Sequence, residues 1–268
     1  MPTAVSNKAK IAKRVIEVLE FFDDEHPQAT VMDIVRRFDR PQSSTSELLS
    51  SLVDLGLLYK DPWSRSYSPT PRAAMLGAAV QPAMVRDGRL TEVIERVSAQ
   101  TGLGVGVFNL VGLKAQVCSW RGGIRSLRHA EGGGLCGGQQ EHLTESAVGW
   151  LLLSTIPLPR RDGMLRRLNA EAAADRKFCF SEMAARVQRC AETGRVSGLA
   201  GFASIAYVAA QLLPGLPDNQ PLAIGVVYES AEQVDPTTLL QSLDDALERC
   251  LGGASAISAS VQPLFHAA

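Results

Sequence analysis

Short polar side chains and arginines cluster in one N-terminal stretch of the chain. The polar run is Gln42, Ser43, Ser44, Thr45 and Ser46. Hydroxyl and amide groups of this kind can donate to phosphates or reach base edges, and arginines at positions 36, 37 and 65 add cations beside them. These residue types predict a nucleic-acid interface. The alternative is that the serines only cap a helix and the arginines, Arg36, Arg37 and Arg65, are only solvated.

A second constellation surrounds Cys136. The run Gly134-Leu135-Cys136-Gly137-Gly138 is a cysteine version of the G-x-S-x-G motif of hydrolases. That motif needs a buried strand before it and a helix directly after it, whereas residues 126–131 are polar and residues 137–140 are loop-like. A thiol-dependent hydrolase using Cys136, with the N-terminal domain serving assembly, therefore stays as the alternative function. We predict no catalytic residue.

Metal and cofactor chemistry has weaker support. His129, Cys136 and His142 are competent metal ligands, but their spacing matches no standard site. We therefore expect neither a metal nor a cofactor.

The N-terminal cluster needs elements that present it. Apolar residues at helical spacing predict a first helix over residues 8–23, and Thr30 with Asp33 forms an N-cap signal for a second. Ser44 and Glu47 have capping-box spacing at the start of a third, which Gly56 ends. A short hairpin follows over residues 57–68. This order predicts a winged helix-turn-helix within residues 1–72, whose third helix enters the major groove with its N-terminal residues first.

The remaining sequence predicts a connecting helix and a second domain. Residues 73–88 are interpreted as the linker helix and residues 89–268 as a mixed α/β domain. Short β-prone runs, GVGVFNLVG, AQVCSW, GFASIAYVAAQLL and PLAIGVVYE, alternate there with helical segments over residues 143–153, 161–172, 181–192 and 235–251. The predicted fold class is therefore α+β.

Composition narrows the class of protein. The chain has 268 residues, is 46% hydrophobic and 21% charged, and carries a formal net charge of −1, so nucleic-acid contact must come from a local arrangement of cations. Five widely spaced cysteines without a C-x-x-C pair favour a reduced cytoplasmic setting. The N-terminus lacks the apolar core of a secretory signal, and residues 196–217 contain glycines that suit buried strands, so we expect no membrane partner.

The N-terminal stretch also resembles a known family. The run RPQSSTSELLSSLVDLGLLYKDP, followed by a tyrosine-containing second wing strand, looks like the DNA-binding domain of IclR-type regulators. The family's recognition helix pattern is matched at Ser43, Ser44, Leu48, Leu49 and Leu52. Glu47 stands where the family has an arginine. A carboxylate faces phosphates unfavourably but can accept from cytosine.

The resemblance extends to the C-terminal part. LTESAVGWLLLS is similar to the family's T-A-x-G-K-A-L-L-A segment, with Trp150 in place of the lysine, and GFASIAYVAA and AIGVV resemble its two central strands. This implies a GAF-like effector and oligomerisation domain without enzymatic activity. It also implies a small organic effector near Cys136, Ser146, Gly149, Ser204, Ala206, Gly225 and Val227.

The chain departs from the family at several of these positions. Gly225 and Val227 stand where the family often has serines, and its acidic motif is absent around residues 195–199. These departures favour a more apolar ligand, or none. The resemblance further implies a homodimer or a dimer of dimers on a double-stranded DNA operator, with an effector that shifts the arrangement of the paired DNA-binding domains.

Overall fold

A computed structural model describes residues 7–23, 26–124, 135–217, 220–229 and 234–252. The chain divides into two compact units, Met1–Gln81 and Pro82–Ala268, and each is considered by itself. Cys136 lies at the beginning of the second described stretch of the larger unit, whereas Gly134 and His129 lie outside the described residues.

The N-terminal unit is the predicted winged helix-turn-helix. It consists of α1 (Asn7–Glu20), α2 (Val31–Phe38), α3 (Gln42–Asp54), β1 (Leu58–Lys60), β2 (Tyr67–Pro69) and α4 (Pro71–Met75). β1 and β2 pair antiparallel as the wing, and Ala29 forms a further antiparallel bridge to Tyr67. The core between helices and wing contains Val18, Ile34, Leu49, Leu52, Leu58 and Tyr67. Burial of this apolar set fixes the helices against one another.

Local signals set most of the helix ends in this unit. Thr30 and Asp33 form a complete capping box at the start of α2, as predicted, and Asp39 ends that helix in the left-handed conformation with φ of 48°. Gly56, with φ of 70°, follows the end of α3. The predicted capping box of Ser44 and Glu47 is wrong, because the N-cap of α3 lies three residues before Ser44. Its N-cap is Pro41, and the Ser44 hydroxyl donates to the Pro41 carbonyl at 3.1 Å instead.

The connection to the second unit is helical in short pieces rather than one continuous linker helix. A single 3₁₀ turn, Ala78–Val80, follows α4, and α5 (Ala83–Arg86) follows that. Gly77 has φ of 76°, and Pro82 lacks a backbone N–H, so the helical hydrogen-bond ladder is interrupted at both residues.

The second unit is built on an antiparallel sheet. Its elements are α6 (Arg89–Thr101), β3 (Gly104–Val111), β4 (Lys114–Arg121), β5 (Gln140–His142), α7 (Ala147–Ser154), α8 (Leu158–Glu171), α9 (Phe180–Thr193), β6 (Arg195–Leu199), β7 (Tyr207–Leu212), β8 (Leu222–Tyr228) and α10 (Pro236–Leu251). The strand order among the described residues is β5-β4-β3-β8-β7-β6, with every neighbouring pair antiparallel.

Helices cover both faces of this sheet. On one face α6 packs against β3 and α10 packs against β7, in a core that includes Val105 and Ile224. On the other face α7 lies against the sheet, α9 packs onto α7 and α8 packs onto α9, in a core that contains Phe108, Leu151 and Val208. Both faces are thus buried, which confirms the predicted α+β fold class. No helix in the described ranges is long and apolar enough to cross a bilayer.

The composition of the apolar run GFASIAYVAAQLL suggested a single strand, but the run does not form one. Only Tyr207–Leu212 forms β7, because residues 201–204 form a tight turn in which the Ser204 N–H donates to the Gly201 carbonyl at 3.0 Å. Phe202 and Ala203, the two central residues, have positive φ of 54° and 57°, as in a type I′ turn. The strand on the other side of this turn is β6, which forms an edge of the sheet.

Candidate nucleic-acid interface and a cavity in the second unit

The start of α3 is an open helix N-terminus. Pro41 supplies no side-chain cap, and among the described residues no side chain caps the first turn. The first N–H groups of a helix have no partner within the helix, and the helix dipole makes this end favourable for anions. The N-terminus of α3 can therefore accept a phosphate.

The exposed face of α3 is polar. Gln42, Ser43, Glu47 and Ser50 are exposed, and Ser46 is half-buried beside them. Ser43, Glu47 and Ser50 follow the helical repeat, so they share the outward face with Ser46. Ser50 was missed by the sequence analysis, although continuing the same spacing from Ser43 would have found it.

Thr45 lies on the opposite side of α3. It is buried in the unit's core, and its hydroxyl donates to the Pro41 carbonyl at 3.0 Å. Ser44 is half-buried, with its hydroxyl on the same carbonyl. Of the five predicted polar contacts, Gln42, Ser43 and Ser46 therefore present side chains outward, while Ser44 and Thr45 stabilise the start of the helix.

Two of the predicted arginines lie at the end of α2, immediately before the turn. Arg36 and Arg37 are both exposed, and Arg36 approaches Asp33 at 3.8 Å, a distance at which a surface pair contributes little. Arg37 forms no ion pair with any residue that the structure describes. Arg40, in contrast, is paired with Glu17 of α1 and stacks over Phe38, which ties the turn to the first helix. α3 itself contains no lysine or arginine, so the cations come from α2 and the wing.

The wing ends in an ordered turn. The Asp61 carboxylate accepts from the Trp63 N–H at 2.9 Å and from the Ser64 hydroxyl at 2.8 Å, and these two bonds lower the pKa of Asp61. The Ser66 hydroxyl donates to the Gln28 side chain at 2.8 Å, which anchors the turn to the segment before α2. Arg65 is exposed in this turn with φ of 56°. The turn therefore holds a cation at the tip of the wing.

Trp63 is the feature of the wing that the sequence analysis missed. Its side chain is 93% exposed, although its backbone is held by Asp61. Large aromatic side chains are rarely left in water on an ordered surface, and aromatic or apolar side chains can insert between base steps in the minor groove. An aromatic residue between two short strands of a predicted wing is the signal that could have identified it.

The predicted effector-binding residues lie mostly in the packed core between the sheet and α7. Ala206 and Val227 are buried there together with Phe108 and Phe202, whose rings stack at 5.6 Å. Ser204 is half-buried, and its hydroxyl donates to the Gly201 carbonyl at 2.7 Å within the turn.

The other predicted effector residues in this region have structural roles. Ser146 is fully buried and is the N-cap of α7, where its hydroxyl oxygen accepts from the Gly149 N–H at 3.1 Å. A Cβ atom at Gly149 would lie 2.2 Å from the Leu143 carbonyl oxygen, and one at Gly225 would lie 2.7 Å from Val208. Both glycines thus permit close packing of the backbone, which accounts for them without a ligand.

Cys136 is exposed in a turn before β5, where its N–H donates to the Gln139 side chain at 3.1 Å. The next element along the chain is a three-residue strand, and α7 begins only at Ala147. The helix that a nucleophile elbow requires directly after the nucleophile does not follow in the described chain.

A cavity of about 690 Å³ lies elsewhere in the second unit, beside the turn at residues 201–204. It is lined by Glu141, His142, Thr144, Glu145, Leu168, Glu171, Ala172, Ala173, Asp175, Arg176, Gly201, Phe202 and Ala203. This volume suits a small organic molecule. None of the seven predicted effector residues lines it, although Ser204 follows the turn directly and the Ser146 hydroxyl donates to Glu141.

Glu141 is the most unusual group of this cavity. Glu141 is only 9% exposed. Its Oε2 atom accepts from the Phe202 N–H at 2.5 Å, whereas Oε1 has no hydrogen-bond partner in the described structure. Burial raises the pKa of Glu141 to about 7, against the opposing effect of the bonds from Phe202 and Ser146. Sequence reasoning missed this residue, because nothing in the run QEHLTE indicates which carboxylate becomes buried.

Comparison with known proteins agrees with this architecture. Residues 12–62 match the family model of the IclR helix-turn-helix domain. The solved structure of an IclR transcriptional regulator from Alicyclobacillus acidocaldarius matches with a TM-score of 0.56 and 18% identity, covering 94% of this chain and 99% of that chain. No curated protein matches the chain.

Two further solved structures extend the likeness. An IclR homolog from Microbacterium hydrocarbonoxydans, in complex with 4-hydroxybenzoate, has a TM-score of 0.56 and 18% identity over 91% of this chain and 99% of its own. The IclR of Thermotoga maritima has a TM-score of 0.55 and 14% identity over 92% and 98%.

The class of domain that the match defines is a helix-turn-helix, over residues 12–62. The predicted resemblance is confirmed: residues 12–62 form an IclR helix-turn-helix domain, and nearly the whole chain has the fold of solved IclR-type regulators.

Proposed function

We propose that this protein binds a double-stranded DNA operator as a homodimer or dimer of dimers, and that a small organic effector in the second unit controls its affinity for DNA. The observation that carries the DNA-binding part is the open N-terminus of α3, which has an exposed polar face and lies in a winged helix-turn-helix. In this geometry the helix enters the major groove by that end.

The proposal comprises three groups of contacts. The N-terminus of α3 binds a phosphate, while Gln42, Ser43 and Ser46 reach base edges or neighbouring phosphates. Arg37 and Arg36 bind the backbone beside the turn. The wing, with Arg65 and Trp63 at its tip, contacts the minor groove. Because the chain has a net charge of −1, affinity depends on these local cations rather than on a general basic field.

Dimerisation is supported by exposed apolar side chains in the connecting segment. Met75, Leu76 and Val80 are 70%, 55% and 81% exposed, which is unfavourable in water. A second copy of the chain would bury them and would supply the second recognition helix that an operator with two half-sites needs. Effector control is supported by the cavity of about 690 Å³ and by the homolog of the same fold that holds 4-hydroxybenzoate.

The contact assignment is tested by the salt dependence of binding. A fragment selected by the protein from genomic DNA of its source organism is titrated by fluorescence anisotropy at several salt concentrations. Arg37→Ala and Arg65→Ala are each expected to weaken binding and to lower the slope of log K against log salt by about 1, because each removes roughly one phosphate contact.

Arg167→Ala provides the matched control. Arg167 is exposed on α8 in the second unit and pairs with Glu171 at 2.8 Å, so its removal deletes one positive charge without touching the proposed interface. The assignment fails if neither arginine of the N-terminal unit alters affinity or slope, or if the control alters them as much.

A further inference from the structure

The turn at residues 201–204 holds a conformation that its residues disfavour. Gly201, Phe202 and Ala203 have φ of 79°, 54° and 57° in succession, yet type I′ turns prefer asparagine and glycine at the central positions. A left-handed conformation is unfavourable for a residue with a Cβ atom. Such strain persists only where the surroundings impose it, and it is typical of functional sites.

Two contacts impose this conformation. The Phe202 N–H donates to Glu141 Oε2, and the Phe202 ring is buried against Phe108. A Cβ atom at Gly201 would lie 2.4 Å from Glu141 Oε1, so only glycine lets the backbone pass this close to the carboxyl group. The strained turn therefore packs directly against one buried side chain, that of Glu141.

Glu141 is left with an unsatisfied oxygen at the wall of the cavity. Oε1 is buried and has no partner among the described residues, and a buried acceptor without a donor is destabilising. Glu141 lines the cavity of about 690 Å³ together with the turn itself. For the ionised form of Glu141 the missing partner is a donor, because a carboxylate can only accept.

The charges around the cavity indicate what kind of donor fits. Arg176 pairs with Glu145 at 2.7 Å, and Glu171 pairs with Arg167 at 2.8 Å. For Asp175 and Glu141, the described part of the chain supplies no cation. The other walls include the apolar side chains of Leu168, Ala172 and Phe202. The cavity thus combines an acidic excess with apolar and aromatic surface, a combination that suits an organic cation.

We propose that this cavity binds a small organic cation, an amine or amidine on an apolar body, whose N–H group donates to Glu141 Oε1. The proposal rests on the proposed function only in calling this molecule the effector. The proposed site differs from the pocket that the family resemblance implied, because the predicted residues Ala206, Gly225 and Val227 lie in the packed core.

The proposal has a pH signature. An ammonium group favours the ionised form of Glu141, whose pKa is about 7, whereas an alkylammonium stays charged at pH 8 as lysine does. The ionised fraction rises from about one in eleven at pH 6 to about ten in eleven at pH 8, so amine affinity should rise about tenfold. The other charged groups facing the site are His142 and Glu145 near Glu141, Glu171 at the end of α8, and Asp175 and Arg176 after it.

The experiment uses two matched series of probes on the full chain without DNA: phenethylamine, phenethyl alcohol and phenylacetate, and tryptamine, tryptophol and indole-3-acetate. Dissociation constants are measured by ligand-observed NMR at pH 6, 7 and 8. At pH 8 at least one amine should bind at least tenfold more tightly than its alcohol and its acid. That preference should shrink about tenfold at pH 6.

Variants assign the effect to the proposed site. Glu141→Gln keeps an oxygen to accept from Phe202 but removes the charge, so it should abolish the amine preference and its pH dependence. Glu192→Gln, an exposed substitution on α9, should change neither. His142 also lines the cavity, so His142→Gln must retain the pH dependence. Asp175→Asn, at an exposed residue, should weaken amine binding even if Glu141→Gln does not fold.

The proposal is overturned if neither amine binds more tightly than its neutral and acidic counterparts, or if the preference is undiminished in folded Glu141→Gln or in Asp175→Asn. Because no DNA is present, failure here leaves operator binding intact. Failure of operator binding would equally leave amine binding unaffected.

Discussion

The buried carboxyl of Glu141 makes the stability of the second unit depend on pH. In the folded protein its pKa is about 7, against an ordinary value of 4.5. The stabilising effect of the protonated group is fully present below pH 4.5 and is lost as the pH rises through 7. Each pKa unit is equivalent to about 1.4 kcal/mol, so the ionised carboxylate destabilises the fold by about 3 kcal/mol above pH 8.

Glu141→Gln removes this ionisation while keeping the size of the side chain and an acceptor for the Phe202 N–H. The variant should therefore gain stability relative to the parent as the pH rises. Between pH 5 and pH 8.5 the difference in unfolding free energy, variant minus parent, should increase by about 2 to 3 kcal/mol. Other titrating groups are common to both proteins, so their contributions largely cancel in this difference.

The assay is urea unfolding followed by tryptophan fluorescence in a Trp63→Phe background. Trp63 belongs to the first unit, whereas Trp120 and Trp150 lie in the second, so the remaining signal reports on the unit that contains Glu141. Glu192→Gln controls for the removal of a surface carboxylate. A difference that stays constant from pH 5 to pH 8.5 would refute the inference that Glu141 is buried with a raised pKa.

Three further predictions concern single residues. Ala203→Gly should stabilise the second unit by about 0.5–1 kcal/mol, measured by urea unfolding, because glycine adopts positive φ without a Cβ clash; a destabilised variant would contradict the turn geometry. Trp63→Ala should weaken operator binding about tenfold without changing the Tm, because the side chain touches little of the fold; unchanged affinity would exclude it from the interface. Thr30→Ala should destabilise the first unit by about 1 kcal/mol through loss of the capping box at α2, and an unchanged Tm would contradict that role.

The winged helix-turn-helix was predictable because local signals and periodicity agree. The apolar repeat, the Thr30 cap and Gly56 each specify the same helices that the core requires. The N-cap of α3 was not predictable, because Ser44 offers a capping signal three residues after the actual N-cap, Pro41. Proline at the N-cap leaves no side-chain signal, and the burial of Thr45 decides which side faces the core.

The cavity lay beyond sequence reasoning for a different reason. The pattern of the second unit correctly predicted β3 and β8, whose apolar runs are continuous and buried, and β4, in which only Ala115 and Val117 are buried. Glu141, however, is buried beside a turn some sixty residues later in the chain, at a place where composition predicts a strand. Family likeness alone directed attention to Gly225 and Val227, which the fold uses for packing.

The most direct test of DNA recognition is selection of bound fragments from the source organism's sheared genomic DNA by the full chain, in parallel with the Arg37→Ala, Arg65→Ala double variant. The proposal predicts that the parent chain enriches a small set of discrete duplex sites at physiological salt and that the double variant loses this enrichment. Failure of the parent to retain any duplex DNA, even at low salt, would contradict it.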